Sequence, residues 1–335
     1  MASHMNEYFR PVRQLDAENI TFAAGVTALN EACALALCDP GDAILLGQYN
    51  YGAFPTDLVA RTGLSFVYAA FGDSDQFSEN CVKHFEAAYD QARQNGVNIR
   101  ALLLCSPHNP LGRCYSQAAL RGLAKFCEKN DLHLISDEIY ALTVYQRPRH
   151  ANESFTSVLA IDEGIIDPDR VHVLYGFSKD YAAGGLRLGC VISHNRAFTQ
   201  AVRGGVCRFS SPSHFSMDIA TKMLEDRPFI IRFLQDSIEA LARQRVLVEA
   251  LLDQSRISHL KEGNAGLFIW LDLSEFLDPY QQLDDGWAAE AALAAKLAAG
   301  GVVLSTGKRY QSPKPGNFRM IFSYDEGTLR EGIKR

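Results

Sequence analysis

Residues 173 to 189 read VLYGFSKDYAAGGLRLG. An apolar run of strand length meets Ser178-Lys179, passes through a turn holding Gly184 and Gly185, and reaches Arg187, eight residues past the lysine, before the apolar run LGCVIS (188–193). Two runs of buried character joined by a glycine-bearing polar turn predict strand, turn and strand, with both cations gathered at one strand end. A single lysine or arginine in such a place is ordinarily solvated surface. The rest of the chain decides whether this pair is more than that.

Working outward, the same texture recurs. The runs NITFAA (19–24), AILLG (43–47), LSFVYAA (64–70), RALLLCS (100–106), LHLISD (132–137) and VHVLYGF (171–177) complete, with LGCVIS, a set of seven candidate strands. Between them lie VTALNEACALAL (26–37), ENCVKHFEAAYDQARQN (79–95) and SQAALRGLAKFCEKN (116–130), whose apolar residues return every three or four positions. Ser116 is placed to cap the third of these. Short apolar strands alternating with amphipathic helices predict an α/β fold, a mostly parallel seven-stranded sheet with helices on both faces.

From Pro228 the pattern changes to one long amphipathic helix, PFIIRFLQDSIEALARQRVLVEALLDQ (228–254), with proline suited to its first turn. Strand-like AGLFIWLDL (265–273), helical GWAAEAALAAKLAAGG (286–301), then VVLST (302–306) and FRMIFSY (318–324) follow, predicting a smaller C-terminal α+β domain. The expected division is 6–240 for the large domain and 241–335 for the small one. MASHM (1–5) is set aside as a tag remnant. The stretch from Arg147 to Asp169 lacks a regular pattern and is expected to be a surface excursion.

Composition narrows the class. Of 335 residues, 47% are hydrophobic and 21% charged, the balance of a folded globular chain. A net charge of −6 argues against a general nucleic-acid or acidic-membrane surface, which needs clustered excess Lys and Arg. No apolar run approaches the ~20 residues that span a bilayer. The eight cysteines lack the short paired spacing of a zinc or redox site, and several sit within apolar runs, as small buried hydrophobes of a reducing, cytoplasmic compartment would.

In an open α/β sheet, ligands bind beyond the carboxyl ends of the strands. Here those ends carry Gly25-Val26-Thr27 at a helix start, His108-Asn109-Pro110-Leu111-Gly112, Asp137-Glu138-Ile139-Tyr140, and Ser178-Lys179. Each has an ordinary reading as turn, loop or solvated surface. Together they supply an anion cradle at a helix N-terminus, a polar contact, a carboxylate and a lysine. That combination describes a site for a charged, ring-shaped cofactor bearing a phosphate. A nicotinamide dehydrogenase does not fit, because no strand is followed by a G-x-G-x-x-G turn with an acidic residue further on.

The segments SPHNPLG (106–112), ISDEIY (135–140) and FSKDYAAGGLRLG (177–189), in this order, resemble the fold-type-I pyridoxal-phosphate enzymes of the class I/II aminotransferase family. LHLISDEIYALTVY (132–145), followed by VHVLYGFSKD (171–180), is similar to the branch containing 1-aminocyclopropane-1-carboxylate synthase and its fungal relatives. The resemblance runs from about residue 6 to 325 and implies pyridoxal 5'-phosphate as cofactor. It implies Lys179 as the Schiff-base lysine, acting on an α-amino acid through an external aldimine and moving the proton at the substrate's Cα. Asp137 would face the pyridine nitrogen, and Asn109 and Tyr140 the ring's phenolic oxygen. Tyr51 in YNYGAF (49–54) would stack on the ring, with Tyr49 as the competing choice. Gly25, Val26, Thr27, Ser178 and Arg187 would hold the phosphate, and Arg319 in NFRMIFS the substrate's α-carboxylate.

For activity, the resemblance implies a carbon–sulfur lyase of the synthase type, with an aminotransferase and a non-catalytic cofactor-binding remnant as alternatives. The expected partners are a small amino acid and a second copy of the chain in a homodimer, with no nucleic acid, membrane or metal. Three departures stand out. Gly176 occupies the place, three residues before the lysine, where the family commonly has a serine on the phosphate, so Ser178 is expected to take over part of that grip. Only residues 6–24 precede Gly25, where relatives carry a longer segment, so the small domain is expected to be incomplete. CRFSSPSHFS (207–216) is rich in hydroxyls where relatives place contacts near the cofactor or the dimer interface.

Overall fold

The structure, a computed structural model, describes residues 1–147, 153–280 and 285–335. Its elements begin with α1 (Ala2–Tyr8), β1 (Ile20–Ala23), α2 (Val26–Leu37), β2 (Ala43–Gly47), β3 (Ser65–Ala69), α3 (Cys81–Gln94), β4 (Ile99–Cys105), α4 (Gln117–Lys129) and β5 (His133–Asp137). There follow β6 (Val171–Gly176), α5 (Phe177–Asp180), β7 (Gly189–Ser193), α6 (Arg196–Gly204), α7 (Val206–Phe209), α8 (His214–Glu225) and α9 (Arg227–Gln254). The chain continues through β8 (Ser258–His259), β9 (Phe268–Asp272), α10 (Gly286–Ala299), β10 (Ser305–Thr306), β11 (Asn317–Ile321) and α11 (Glu326–Lys334).

All seven predicted strands form one sheet in the order β1-β7-β6-β5-β4-β2-β3. β3, β2, β4, β5 and β6 run parallel, while β7 is antiparallel to both β6 and β1. The interior strands are apolar on both faces because both faces are covered, as a parallel sheet requires. Side chains alternate strictly. Leu102, Leu104, Leu134 and Val173 pack under α3 and α4, whereas Ala101, Leu103, Ile135 and Leu174 pack under α2 and α6. α4 starts where its cap was predicted, with the Ser116 hydroxyl accepting from Ala119 N at 3.2 Å.

α9 changes partners along its length. Ile230 and Leu234 pack with Phe177, Tyr181 and Leu188, while Leu241, Val248 and Leu252 pack into the core of the antiparallel sheet β10-β11-β9-β8. The two sheets are joined at Gly112, whose carbonyl accepts from Asn264 N and Ala265 N at 2.8 and 2.9 Å. A Cβ at Gly112 would lie 2.7 Å from the Ala265 carbonyl, and its φ is +65°, so only glycine serves there. Arg147 and Arg245 converge nearby on the half-buried Glu249.

MASHM opens into α1, with Met5 wholly buried and the His4 ring stacked on Tyr175 at 6.0 Å. Two expectations are corrected. The stretch after Arg147 is not a surface excursion. Val158, Leu159, Ile161 and Ile166 are buried, and the Glu138 carboxylate accepts from Val158 N at 2.9 Å, so an irregular segment is held by side-chain capping in place of a ladder. Its residues 148–152 lie outside the described residues. VVLST contributes only Ser305 and Thr306 to pairing, and Val303 is 84% exposed.

Candidate active site

The predicted strand ends converge. One cavity of about 210 Å³ is lined by Val26, Thr27, Tyr51, Asn109, Asp137, Tyr140, Ser178, Lys179 and Arg187. Alternation explains the inward side chains: Asp137 follows Ile135 by two residues in β5 and shares its face, the face that carries α2. Gly25 stands at the start of α2 and, lacking a side chain, leaves the first amides of a twelve-residue helix open toward the cavity. A larger cavity of about 470 Å³, lined by Phe177, Leu188, Tyr8 and Ile230, lies behind the Lys179 turn. No predicted strand-end side chain enters that second cavity.

Close approach of backbone explains the glycines. At Gly25, φ is +90°, and a Cβ there would lie 2.6 Å from the Arg187 guanidinium. A Cβ at Gly189 would lie 2.7 Å from both Gly25 C and Val26 N. The β6–β7 hairpin pairs Gly176 with Gly189, so Arg187, itself at φ +49° in the left-handed region, returns beside the α2 terminus. Gly176 has its own steric reason. A Cβ there would meet the Leu188 carbonyl at 2.8 Å and Gly189 Cα at 3.1 Å, which leaves no room for a serine in this hairpin.

The electrostatics are those of a dry pocket. Burial pushes the Asp137 carboxyl up to about 7, against the lowering effects of the Ile139 amide at 3.1 Å and of Lys179. Burial also lowers Lys179, with Arg319 and Arg187 acting in the same direction and Asp137 opposing them. The Lys179 amine lies 5.8 Å from the centroid of the Tyr140 ring. Burial raises the Tyr140 hydroxyl well above its ordinary value, and that hydroxyl accepts from the Asn109 amide at 3.5 Å.

Arg319 reaches this cluster from β11. Its Nη1 donates to Asn109 Oδ1 at 3.0 Å, and its guanidinium lies 5.2 Å from the Phe268 ring centroid and 4.9 Å from that of Tyr310. Its Nε is buried with no hydrogen-bond partner among the described residues. Of the two competing tyrosines, Tyr51 lines the cavity, while Tyr49 packs edge-on against Trp270 at 5.9 Å.

Sequence reasoning missed Asn30, Asp57 and Cys105, which with Ile139 and Gly184 complete the lining. Asn30 stands three residues after Thr27 in a helix whose only other polar residue is Glu31, a spacing that puts Thr27 and Asn30 on one face. Its amide donates to Asp57 at 3.2 Å. That shared face was the available signal. Asp57 lies in a π-helical turn, Pro55–Val59, which no periodicity announces.

The chain shares its fold with a solved tetra mutant of Thermus thermophilus aspartate aminotransferase, with a TM-score of 0.82 over 99% of this chain and 82% of that one at 20% identity. This is the fold-type-I architecture of pyridoxal-phosphate enzymes. The family model for aminotransferases of class I and II matches residues 1–335, and the chain belongs to that family. It is 33% identical over 322 residues to 1-aminocyclopropane-1-carboxylate synthase 1 of Prunus mume, covering 96% of this chain. The chain spans 63% of that relative's length. It is 31% identical over 341 residues to a probable aminotransferase of Claviceps purpurea, covering 100% of this chain and 76% of that one.

Pyridoxal phosphate is the family's cofactor, and the residues present fit it. The open cradle at Gly25, the free amides of Val26 and Thr27, Ser178 and the Arg187 guanidinium form an anion-binding donor set. Asp137 provides a buried acid for a ring cation, and Asn109 with Tyr140 provides donors for a phenolate oxygen. No helix among the described residues is long and apolar enough to cross a membrane.

Proposed function

We propose that this chain acts on α-amino acids as a pyridoxal-phosphate-dependent enzyme, and within that class as a carbon–sulfur lyase of the 1-aminocyclopropane-1-carboxylate synthase type. The observation that carries the reading is Lys179: a half-buried amine with a lowered proton affinity, in one cavity with the buried Asp137 and an anion cradle. Bound pyridoxal phosphate supplies an aldehyde that condenses with amines and a ring that accepts the electron pair left when Cα loses its proton. Lys179 supplies the amine that holds the cofactor, and afterwards the base that takes the Cα proton. A lysine whose hold on its own proton is loosened by burial is suited to both.

Asp137 would keep the ring nitrogen charged, and Asn109 and Tyr140 would bind the phenolic oxygen. Val26, Thr27, Ser178 and Arg187 would fix the phosphate end, with Gly25 leaving the space for it. Tyr51 would pack on the ring. Arg319 takes the substrate carboxylate by its planar fork, which suits carboxylate geometry better than an ammonium does. The unpartnered Arg319 Nε supports an incoming acceptor. Similarity to the Prunus mume synthase favours carbon–sulfur cleavage. The name of the Claviceps purpurea relative favours a second reading, amino-group exchange with a 2-oxo acid.

We assign the protein to the cytoplasm as a homodimer. Its eight thiols are all free, and Phe209 and Phe215 are 87% and 78% exposed in the hydroxyl-rich segment. The test is to add pyridoxal phosphate, reduce with borohydride and map the modified peptide. Exclusive modification of Lys179 is expected. Incubation with sulfonium and thioether amino acids is then expected to release the sulfur fragment with no amino acceptor present. Turnover only when a 2-oxo acid is added establishes the aminotransferase instead, and label scattered over surface lysines overturns both in favour of a remnant without a competent site.

A further inference from the structure

Lys179 and Asp137 are each followed in sequence by a second acid, and both of those acids point away from the cavity. Glu138 accepts from Ser136 Oγ and Val158 N, both at 2.9 Å, on the far side of the sheet. Asp180 is 2% exposed, and its Oδ2 accepts from the Tyr175 hydroxyl at 2.9 Å and from Leu142 N at 3.1 Å. Three segments therefore meet at one oxygen atom. Tyr175 lies in β6, four residues before Lys179; Asp180 ends α5; and Leu142 lies two residues beyond Tyr140 in the turn after β5.

That junction matters because, beyond the buried Phe177 ring and the bond from its amide to the Leu188 carbonyl at 3.2 Å, α5 has little of its own to hold it. It is four residues long, with Gly176 at its N-cap and no side-chain capping bond. A single helical turn is not stable alone, and Lys179 reaches the cavity through a flexible four-carbon stem rooted in it. We propose that the Asp180 carboxyl is the positioning residue for Lys179, clamping the lysine turn between β6 and the segment that bears Tyr140. The clamp acts from the opposite side of the sheet and touches no reacting group. It rests on the reading of Lys179 as the cofactor lysine only for its consequence in the reaction.

Competitive acetylation of the full chain from about pH 6 to about pH 11, read by peptide mass spectrometry, follows the Lys179 titration with no cofactor present. Around Lys179 the charged and titratable groups are Arg319, Asp137, Arg187 and Tyr140. Around Asp180 they are Tyr175 in β6 and Tyr181, with His4 of α1 stacked on the Tyr175 ring and tilted against that of Tyr181. In the unsubstituted chain the midpoint is expected below the ordinary lysine value. Asp180→Leu keeps bulk but removes the acceptor, and is expected to raise the midpoint by about one pH unit as the amine swings toward water. Borohydride-fixed pyridoxal phosphate on Lys179 is expected to fall about tenfold in the same variant.

Asp180→Asn retains an oxygen acceptor and is expected to restore both readouts to within about twofold. Circular dichroism and melting establish that each variant is folded. A folded Asp180→Leu chain with unchanged midpoint and labelling overturns the clamp. Where Asp180→Leu does not fold, Tyr175→Phe removes one of the two donors and decides instead, an unchanged midpoint overturning the clamp. An unsubstituted chain that fails to label at Lys179, yet whose midpoint moves in the variants, sinks the cofactor reading and leaves the clamp standing.

Discussion

The two sheets serve the site in opposite ways. The seven-stranded sheet presents residues from the ends of β1, β4, β5 and β6, and at Gly25, Gly176 and Gly189 its backbone approaches its neighbours more closely than a Cβ would allow. The four-stranded sheet sends one residue, Arg319, from the middle of β11, between the short β10 and the longer β9. Among the described residues, Arg319 is held by aromatic faces and a single hydrogen bond to Asn109. One sheet makes a rigid cup by steric exclusion. The other offers a cation through adaptable contacts, and on the proposed reading the difference would separate holding a cofactor from gripping a substrate.

The largest effect is expected on the rigid side. Lys179→Ala should abolish borohydride-fixed cofactor completely while leaving the far-ultraviolet circular dichroism unchanged, since the lysine is only half-buried and alanine suits its short helix at least as well. Residual fixation at a unique second lysine would break the assignment. Next, Gly176→Ser restores the residue common in the family, yet it is expected to cost about 1–3 kcal/mol in denaturant unfolding and to weaken cofactor binding, because the new Cβ meets backbone that cannot yield. Unchanged stability with tighter binding would show that the hairpin is not rigid.

On the adaptable side, Arg319→Lys is expected to leave the melting temperature alone and to weaken 2-aminoisobutyrate, an amino acid without a Cα proton, by about tenfold in a spectral titration of the cofactor-loaded protein. Equal affinity in the two proteins would remove Arg319 from carboxylate recognition.

The smallest effect is a pH slope. Burial holds the carboxyls of Asp137 at about 7 and of Glu138 and Asp180 at about 8, so the folded chain keeps protons that the unfolded chain has released. Stability from this source falls as pH rises. Below about pH 6.5 the buried imidazoles of His4, His108 and His172, all lowered by burial, pull the other way. The melting temperature of the cofactor-free chain is therefore expected to decline by several degrees between about pH 6.5 and about pH 8. Asp180→Asn should flatten part of that decline. A rising melting temperature over this window would contradict the buried acids.

Much of the rigid cup was legible in the sequence. Seven apolar runs separated by helical periodicities leave few arrangements, and polar residues at their ends fall together once the strands are parallel. The chemistry beside Arg319 was not legible in the same way. An arginine in FRMIFSY follows no periodicity, and only the family resemblance singled it out. Asp57 stayed hidden because a π-helical turn has no sequence period, and α1 because MASHM was read as a tag remnant. Gly176 shows a different gap. Its residue type was visible as a departure, but the reason, a neighbouring carbonyl 2.8 Å from where a side chain would begin, exists only in three dimensions.

The β6–β7 hairpin carries both Lys179 and Arg187, and its two strands pair in register from His172 opposite Ser193 to Gly176 opposite Gly189. Amine and guanidinium are thus parts of one jig, cut from a single continuous piece. Any swing of β11 and its neighbours retunes the reach of Arg319 without altering the gauge between the other two. If Lys179 and Arg187 hold the two ends of the cofactor as proposed, selection on which amino acid is accepted could work on one sheet while that calibration is inherited unchanged.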